Sequence, residues 1–139
     1  MATILAHIQV KPGSAASFEK IARALYVAST GKEAALRRYE YWRAKSPDSY
    51  YCLLAFDDYA GFLAHQASPH HEAAAAPLMD HIISLELEWL DPVQGASPLP
   101  ATVPQHVGDT AGAVELAYAE QFPLVPASWW RDISKGAFA

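Results

Sequence analysis

Phe62-Leu63-Ala64-His65-Gln66-Ala67-Ser68-Pro69-His70-His71 ends one helix and begins another, and the rest of the chain is arranged around that break. Serine followed by proline is the pattern of an N-cap and a first helical position. The serine oxygen accepts an otherwise unpaired backbone N–H, and proline has no N–H to leave unpaired. A helix is therefore predicted to start at Pro69. Residues 58–67 read as a separate helix that stops just before it, so the break carries His65, His70 and His71 within a few residues.

Outward from the break, strand and helix periods alternate. Residues 3–10 place Ile4, Ala6, Ile8 and Val10 on one side and Thr3, Leu5, His7 and Gln9 on the other, the period-2 pattern of a strand covered on one face. Lys11-Pro12-Gly13 ends it. From Ser14 the period changes: Phe18, Ile21, Ala22, Leu25 and Ala28 fall on one helical stripe, Glu19 precedes Arg23 as a surface pair, and Gly31 is the expected stop. Two runs rich in aromatics follow, 35–44 and 49–57, separated by the turn residues Lys45-Ser46-Pro47-Asp48. The first run puts Arg37, Tyr39, Tyr41 and Arg43 on one face of a hairpin and Leu36, Arg38, Glu40 and Trp42 on the other. Beyond the break, Pro77 is expected to kink or end the second helix. Residues 81–90 then alternate Ile83, Leu85, Leu87 and Trp89 with Ser84, Glu86 and Glu88.

The order β-α-β-β-α-β predicts an α+β fold, a ferredoxin-like sandwich in which a four-stranded antiparallel sheet carries helices on one side. The other side then holds Leu5, Trp42, Tyr51 and Leu53. A second copy of the chain laid against it would give a dimeric α+β barrel, so a homodimer is expected. Residues 1–91 make up this domain, and 92–139 form a Pro-rich C-terminal extension. Six of the ten prolines lie between 92 and 126, which makes 92–108 an extended arm, with helical character returning at 111–122. Trp129 and Trp130 would be costly to leave in solvent, so the arm is expected to pack on its own domain or on the partner, wrapping the other subunit or lidding the pocket.

A length of 139 residues suits one such domain with a core that needs no staples. The single Cys52 closes no internal disulfide. No basic-then-apolar leader and no apolar run near ~20 residues is present, so a cytoplasmic protein without membrane contact is expected. A net charge of −5 with scattered basic residues excludes the electrostatic footprint of a nucleic-acid binder. The 52% hydrophobic content points to apolar surface hidden in an interface or a pocket.

Lys11-Pro12-Gly13 after a first strand, Arg38-Tyr39-Glu40 in the second, and Phe62-x-x-His65-x-x-Ser68-x-His70 after the third together resemble the antibiotic biosynthesis monooxygenase group of dimeric α+β barrels. The resemblance covers residues 2–92. It implies a homodimer with a pocket in each subunit between sheet and helices, and cofactor-independent oxidation of a small aromatic or quinol-like molecule by molecular oxygen. Relatives commonly carry a Glu two residues before the aromatic that closes the third strand. Here Phe56 is that aromatic and Leu54 takes the acid's place. The haem-degrading branch is not matched, since Ala6, His65 and Ala75 stand where it needs Asn, Trp and His.

Oxygenation without a cofactor needs an electron-rich substrate converted to its anion inside an apolar cavity. Histidine, with a pKa near neutrality, suits the proton transfer. His65 is the candidate base, or a donor to the developing phenolate; the alternative is a structural bond to the backbone at the helix break. His70, in the first turn of its helix, is the second catalytic candidate, or a solvated first-turn residue. Tyr39, Tyr41, Arg37 and Phe56 are candidates for the substrate site, the tyrosines stacking on an aromatic ring while arginine attracts its anion. Glu86, Glu88, Arg38, Glu40 and His7 read as polar contacts across a dimer barrel. Metal binding by His65, His70, His71, Glu72 and His81 finds no ligand pair at helical spacing, and no metal or other cofactor is expected. Cys52 reads as a small buried apolar residue. A non-catalytic module that binds an apolar small molecule is the competing class, and an interaction protein docking through Trp129 and Trp130 is a third.

Overall fold

The computed structural model describes residues 1–93 and 95–127; Trp129 and Trp130, and what was expected of them, lie outside the described residues. The elements are β1 (Ala2–Val10), α1 (Ala15–Lys32), β2 (Leu36–Arg43), β3 (Ser49–Phe56), α2 (Tyr59–Gln66), α3 (Pro69–Met79), β4 (Ile82–Trp89) and α4 (Ala113–Gln121). The strands form one antiparallel sheet in the order β2-β3-β1-β4. This is the α+β, ferredoxin-like arrangement expected from the periodicity.

Alternation along the strands decides what each face buries. Ile4, Ala6 and Ile8 of β1, with Tyr39, Cys52 and Leu54, point to the helical side and join the core. The opposite face carries Leu5 against Leu53 and Trp42 against Tyr51. No element of the described chain covers it: Trp42 is 59% and Tyr51 41% exposed.

Helix α1 buries Phe18, Ala22, Leu25 and Ser29 at alternating steps of four, three and four. Gly31 does not stop it. The helix runs through Lys32 and leaves by Glu33 in an extended conformation, with the Glu33 N–H donating to the Ser29 carbonyl. Glu19 does not pair with Arg23 as its main partner either. It accepts two hydrogen bonds from Arg43 at 2.7 Å and one from the Tyr50 hydroxyl at 2.9 Å, because a forked guanidinium from the adjacent strand outcompetes a floppy pair along one helix.

The register of β2 against β3 slips between Leu36 and Arg38. This bulge takes Arg37 out of the alternation, so it does not share the helical face with Tyr39 and Tyr41, whereas Leu36 packs against the core. At the helix break, the Asp58 side chain caps α2 by accepting the Gly61 N–H, and Ser68 caps α3 by accepting the His71 N–H. Pro77 neither ends nor breaks α3, which continues to Met79. The missing N–H would have served Ala73, and both residues lie on the exposed side of a final turn, where solvent reaches the freed carbonyl.

The C-terminal arm packs on its own domain. Thr102 is 6% exposed; its hydroxyl donates to the Leu90 carbonyl at 2.6 Å and accepts the Thr3 N–H at 3.3 Å. Gln105 accepts the Tyr59 N–H, the Phe122 carbonyl accepts the Tyr59 hydroxyl, and the Pro123 carbonyl accepts the Trp89 indole N–H. These bonds lay α4 across α2, on the helical side of the molecule and not over the bare sheet face.

Candidate active site

Between the sheet and helices α1–α4 lies a cavity of about 200 Å3. Its floor is Ala6, Ile8, Cys52, Leu54 and the rings of Tyr39 and Tyr41; His65 and His71 enter from the helix break, and Tyr118 and Phe122 of α4 close one side. A larger groove of about 590 Å3 between α1 and β2 is open to solvent, and its Glu19 and Arg43 are already bonded to each other. The cavity beneath the helix break is the less open of the two and the better candidate for chemistry that must exclude water.

His65 is 2% exposed, in the last turn of α2. Its Nδ1 lies 3.0 and 2.9 Å from the two oxygens of Glu33. A carboxylate can only accept, so Nδ1 carries the proton of this bond. The ring is held edge-on to Tyr39, with Phe56 packed against it. Glu33 also accepts from Nε2 of His70, which Ser68 Oγ approaches at 3.1 Å. Burial works to raise the Glu33 pKa, but the hydrogen bonds and charge of His65, with the hydrogen bond of His70, outweigh it and hold the carboxyl below its ordinary value of 4.5. Glu33 therefore stays ionised behind His65.

Tyr39 and Tyr41 share a hydrogen bond of 2.9 Å between their hydroxyls. Burial pushes both phenols well up, so both remain neutral. The Cys52 thiol is pushed up by the same cause and is no nucleophile. His71 is driven the other way, from 6.5 to about 4, by burial and by the neighbouring His65.

Of the residues singled out in the sequence, His65, Tyr39 and Tyr41 meet at the cavity. His70 reaches Glu33 from the far side and does not line it. Phe56 is wholly buried behind His65. Arg37 lies on the surface, clamped to both oxygens of Asp57 at 2.5 Å, and is not free to attract a substrate anion. His7 pairs with Glu88 on the bare sheet face, and Arg38 with Glu40.

Glu33 and His71 were missed. Glu33 had one sequence signal: an acid at the C-terminal end of a helix opposes the dipole, and such a misplaced charge has a partner elsewhere. It also alters the metal question, since Glu33, His65 and His70 bring three ligand-type atoms within 4.8 Å of one another, a grouping that local spacing concealed. The His65 contacts of Glu33, at 2.9 and 3.0 Å, have ordinary hydrogen-bond lengths, and the His70 contact is shorter. A tetrahedral centre with ~2.0 Å bonds would hold its ligand atoms roughly 3.3 Å apart. Protons fit the Glu33–His65 and Glu33–His70 contacts as they stand; a metal would need both to lengthen.

Residues 1–77 match the family model for antibiotic biosynthesis monooxygenases. No curated protein matches at a significant level. Among solved structures, a candidate antibiotic biosynthesis monooxygenase of Caulobacter crescentus CB15 is 24% identical, with 67% of this chain and 90% of that one covered at a TM-score of 0.63. A second candidate of the same kind, from Bacteroides thetaiotaomicron VPI-5482, is 19% identical, with 70% and 94% covered at a TM-score of 0.65. A conserved protein of Methanosarcina mazei Go1 is 21% identical, with 64% and 89% covered at 0.59. At these identities the likeness is one of fold. Among the described residues, no helix is long and apolar enough to cross a membrane.

Proposed function

Because the chain belongs to the antibiotic biosynthesis monooxygenase family, we propose that it oxidises a small aromatic or quinol-like substrate with molecular oxygen, using no metal or flavin, in the cavity beneath His65. One observation supports this reading: a buried imidazole that lines a largely apolar cavity, with its Nδ1 anchored on an ionised Glu33 and its Nε2 without a hydrogen-bond partner in the described residues.

In the reaction, His65 Nε2 removes a phenolic proton and Glu33 stabilises the imidazolium that results. The phenolate reduces oxygen, and a carbon–oxygen bond forms to give a hydroperoxide. Loss of water, which takes the hydrogen from that carbon and breaks the O–O bond, leaves the quinone. One oxygen molecule is consumed and one water released. The apolar walls keep bulk water from the anion, and the two tyrosines present ring faces and edges to the aromatic substrate. The functional unit is a homodimer in which the bare sheet faces with Trp42 and Tyr51 cover each other.

A competing reading, a binding module without chemistry, draws support from Leu54, which leaves the strand beneath the substrate without an acid. Oxygen uptake by metal- and flavin-free protein with a panel of hydroquinones and naphthols separates the two. A rate above the buffer control that disappears in His65→Ala supports the oxygenase; a rate no greater than buffer with every compound leaves the binding module.

A further inference from the structure

We propose that Gln66 positions the substrate: its side-chain amide takes a second, uncharged oxygen of a small aromatic, a carbonyl or a hydroxyl, and aromatics that carry a carboxylate are turned away. The inference rests on the reading of the cavity as a substrate site and names the chemistry of the ligand's second group.

Gln66 is the last residue of α2, and it lines the cavity together with His65 and, one turn earlier, Phe62. It is 8% exposed. Its amide brings two N–H donors and an acceptor oxygen, and neither atom has a hydrogen-bond partner among the described residues. Nor is either atom sealed in: the side-chain atoms that are both sealed and unpartnered among those residues belong to Thr3, Ser29 and His71. A polar group so far removed from solvent costs stability unless water or a ligand meets it. Other polar groups of the lining are spent within the protein. The hydroxyls of Tyr39 and Tyr41 bond each other, and that of Tyr118 donates to Glu72. Gln121, the second amide of the lining, is exposed on α4 and stays solvated.

The charge of the lining decides which second group fits. Among the described residues, no Lys, Arg, Asp or Glu borders the cavity, and the negative charge of Glu33 stands just behind His65. A carboxylate carried into this space loses its hydration and meets no cation in return. An uncharged oxygen loses less, and the amide restores its bond, donating to a carbonyl or accepting from a hydroxyl. Because Gln66 follows His65 directly, the two side chains leave α2 about 100° apart. They therefore meet a ring at two separate points, His65 at the reacting hydroxyl and Gln66 at the other substituent. At about 200 Å3 the space is below the roughly 300–1,000 Å3 of drug-sized sites, so the ligand has one ring or two small ones.

The test is anaerobic calorimetric titration of the whole protein with 4-hydroxyacetophenone, its apolar counterpart 4-ethylphenol and the carboxylate 4-hydroxybenzoate. It is repeated with Gln66→Met, which keeps the length of the side chain and removes its hydrogen-bonding groups. The expected result is that the ketone binds the wild type about tenfold tighter than 4-ethylphenol does, and about tenfold or more tighter than the carboxylate. Gln66→Met should remove the preference over 4-ethylphenol while 4-ethylphenol itself binds as before, which reports an intact cavity. Urea denaturation without ligand gives an independent reading: an amide that bonds nothing in the protein leaves the variant at least as stable as the wild type. A preference that comes only from the ketone's more acidic phenol survives the substitution and overturns the proposal. So does no preference in the wild type, a carboxylate bound as well as the ketone, no binding at all, or a lower urea midpoint for the variant. Because no turnover occurs in the titration, absence of oxygen uptake removes the oxygenase and leaves this assignment standing. Uptake together with an unaltered ketone preference in Gln66→Met removes this assignment alone.

Discussion

Glu33, the residue that ends α1, holds Nδ1 of His65 with both carboxylate oxygens, at 3.0 and 2.9 Å, across 32 positions of sequence. The contact orients the ring and places a fixed negative charge behind a residue that lines the cavity. Replacing the carboxylate by the isosteric amide in Glu33→Gln keeps a hydrogen bond but removes the charge that favours the imidazolium. The expected outcome is a fall in kcat of about 10²–10³-fold with a smaller change in KM, measured by oxygen uptake. An activity equal to wild type would show that the pair is only structural.

The bare sheet face makes a separate prediction. Trp42 and Tyr51 form a cross-strand pair with none of the described elements above them, flanked by Leu5, Leu53 and the polar His7, Glu86 and Glu88. Trp42→Glu puts a charge at the centre of any self-contact while leaving the monomer's own core untouched. If the face joins two copies, the dimer weakens by about 100-fold or more, which sedimentation velocity over a range of concentrations detects. A wild-type protein that sediments as a monomer removes the dimer directly.

What the sequence made legible follows from where its signals are local. The strand that alternates Ile4, Ala6 and Ile8 with the mostly polar Thr3, Leu5, His7 and Gln9 announces both its period and its buried side, so the sheet and its helical cover were readable. The helix break was readable because Ser68-Pro69 is a capping signal confined to two residues. Contacts between distant elements were not. Arg43 captures Glu19 from another strand, so the expected pair with Arg23 does not dominate. A single bulged residue rotates Arg37 away from Tyr39, and periodicity has no means of registering one extra residue. His65 could be proposed from its place at the break, but Glu33, which makes it chemically useful, comes from the end of another helix with no pattern to mark it.

Thr102 is the point where the arm is tied to the sheet. Its hydroxyl bridges the end of β1 and the residue after β4, donating to Leu90 and accepting from Thr3, while its own N–H donates to Asp91 at 2.6 Å. Thr102→Val keeps the shape and leaves the Leu90 carbonyl and the Thr3 N–H without that partner. A loss of about 1–2 kcal/mol is expected in urea denaturation, together with weaker ligand binding, because the arm carries Tyr118 and Phe122 to the cavity. A variant as stable as wild type would mean that the tie contributes little.

The cavity histidine also predicts how stability changes with pH. His71 is held neutral in the fold, its pKa lowered from 6.5 to about 4, while in the unfolded chain it protonates normally. Between these values the unfolded state binds a proton that the folded state refuses, so the fold loses stability as pH falls from about 6.5 to about 4, by up to roughly 3 kcal/mol. Glu33 acts in the same direction but later. Its lowered pKa means that its contribution is present above 4.5 and is lost only as pH falls below that. The window between pH 6.5 and 4.5 therefore isolates His71. Its charged and titratable neighbours Glu33, His65 and His70 are common to wild type and to His71→Phe, so the difference between the two unfolding curves reports His71 alone. The wild type should lose stability more steeply across that window than the variant, read from urea midpoints at half-unit steps. Parallel curves would mean that the ring is as easily protonated in the fold as outside it.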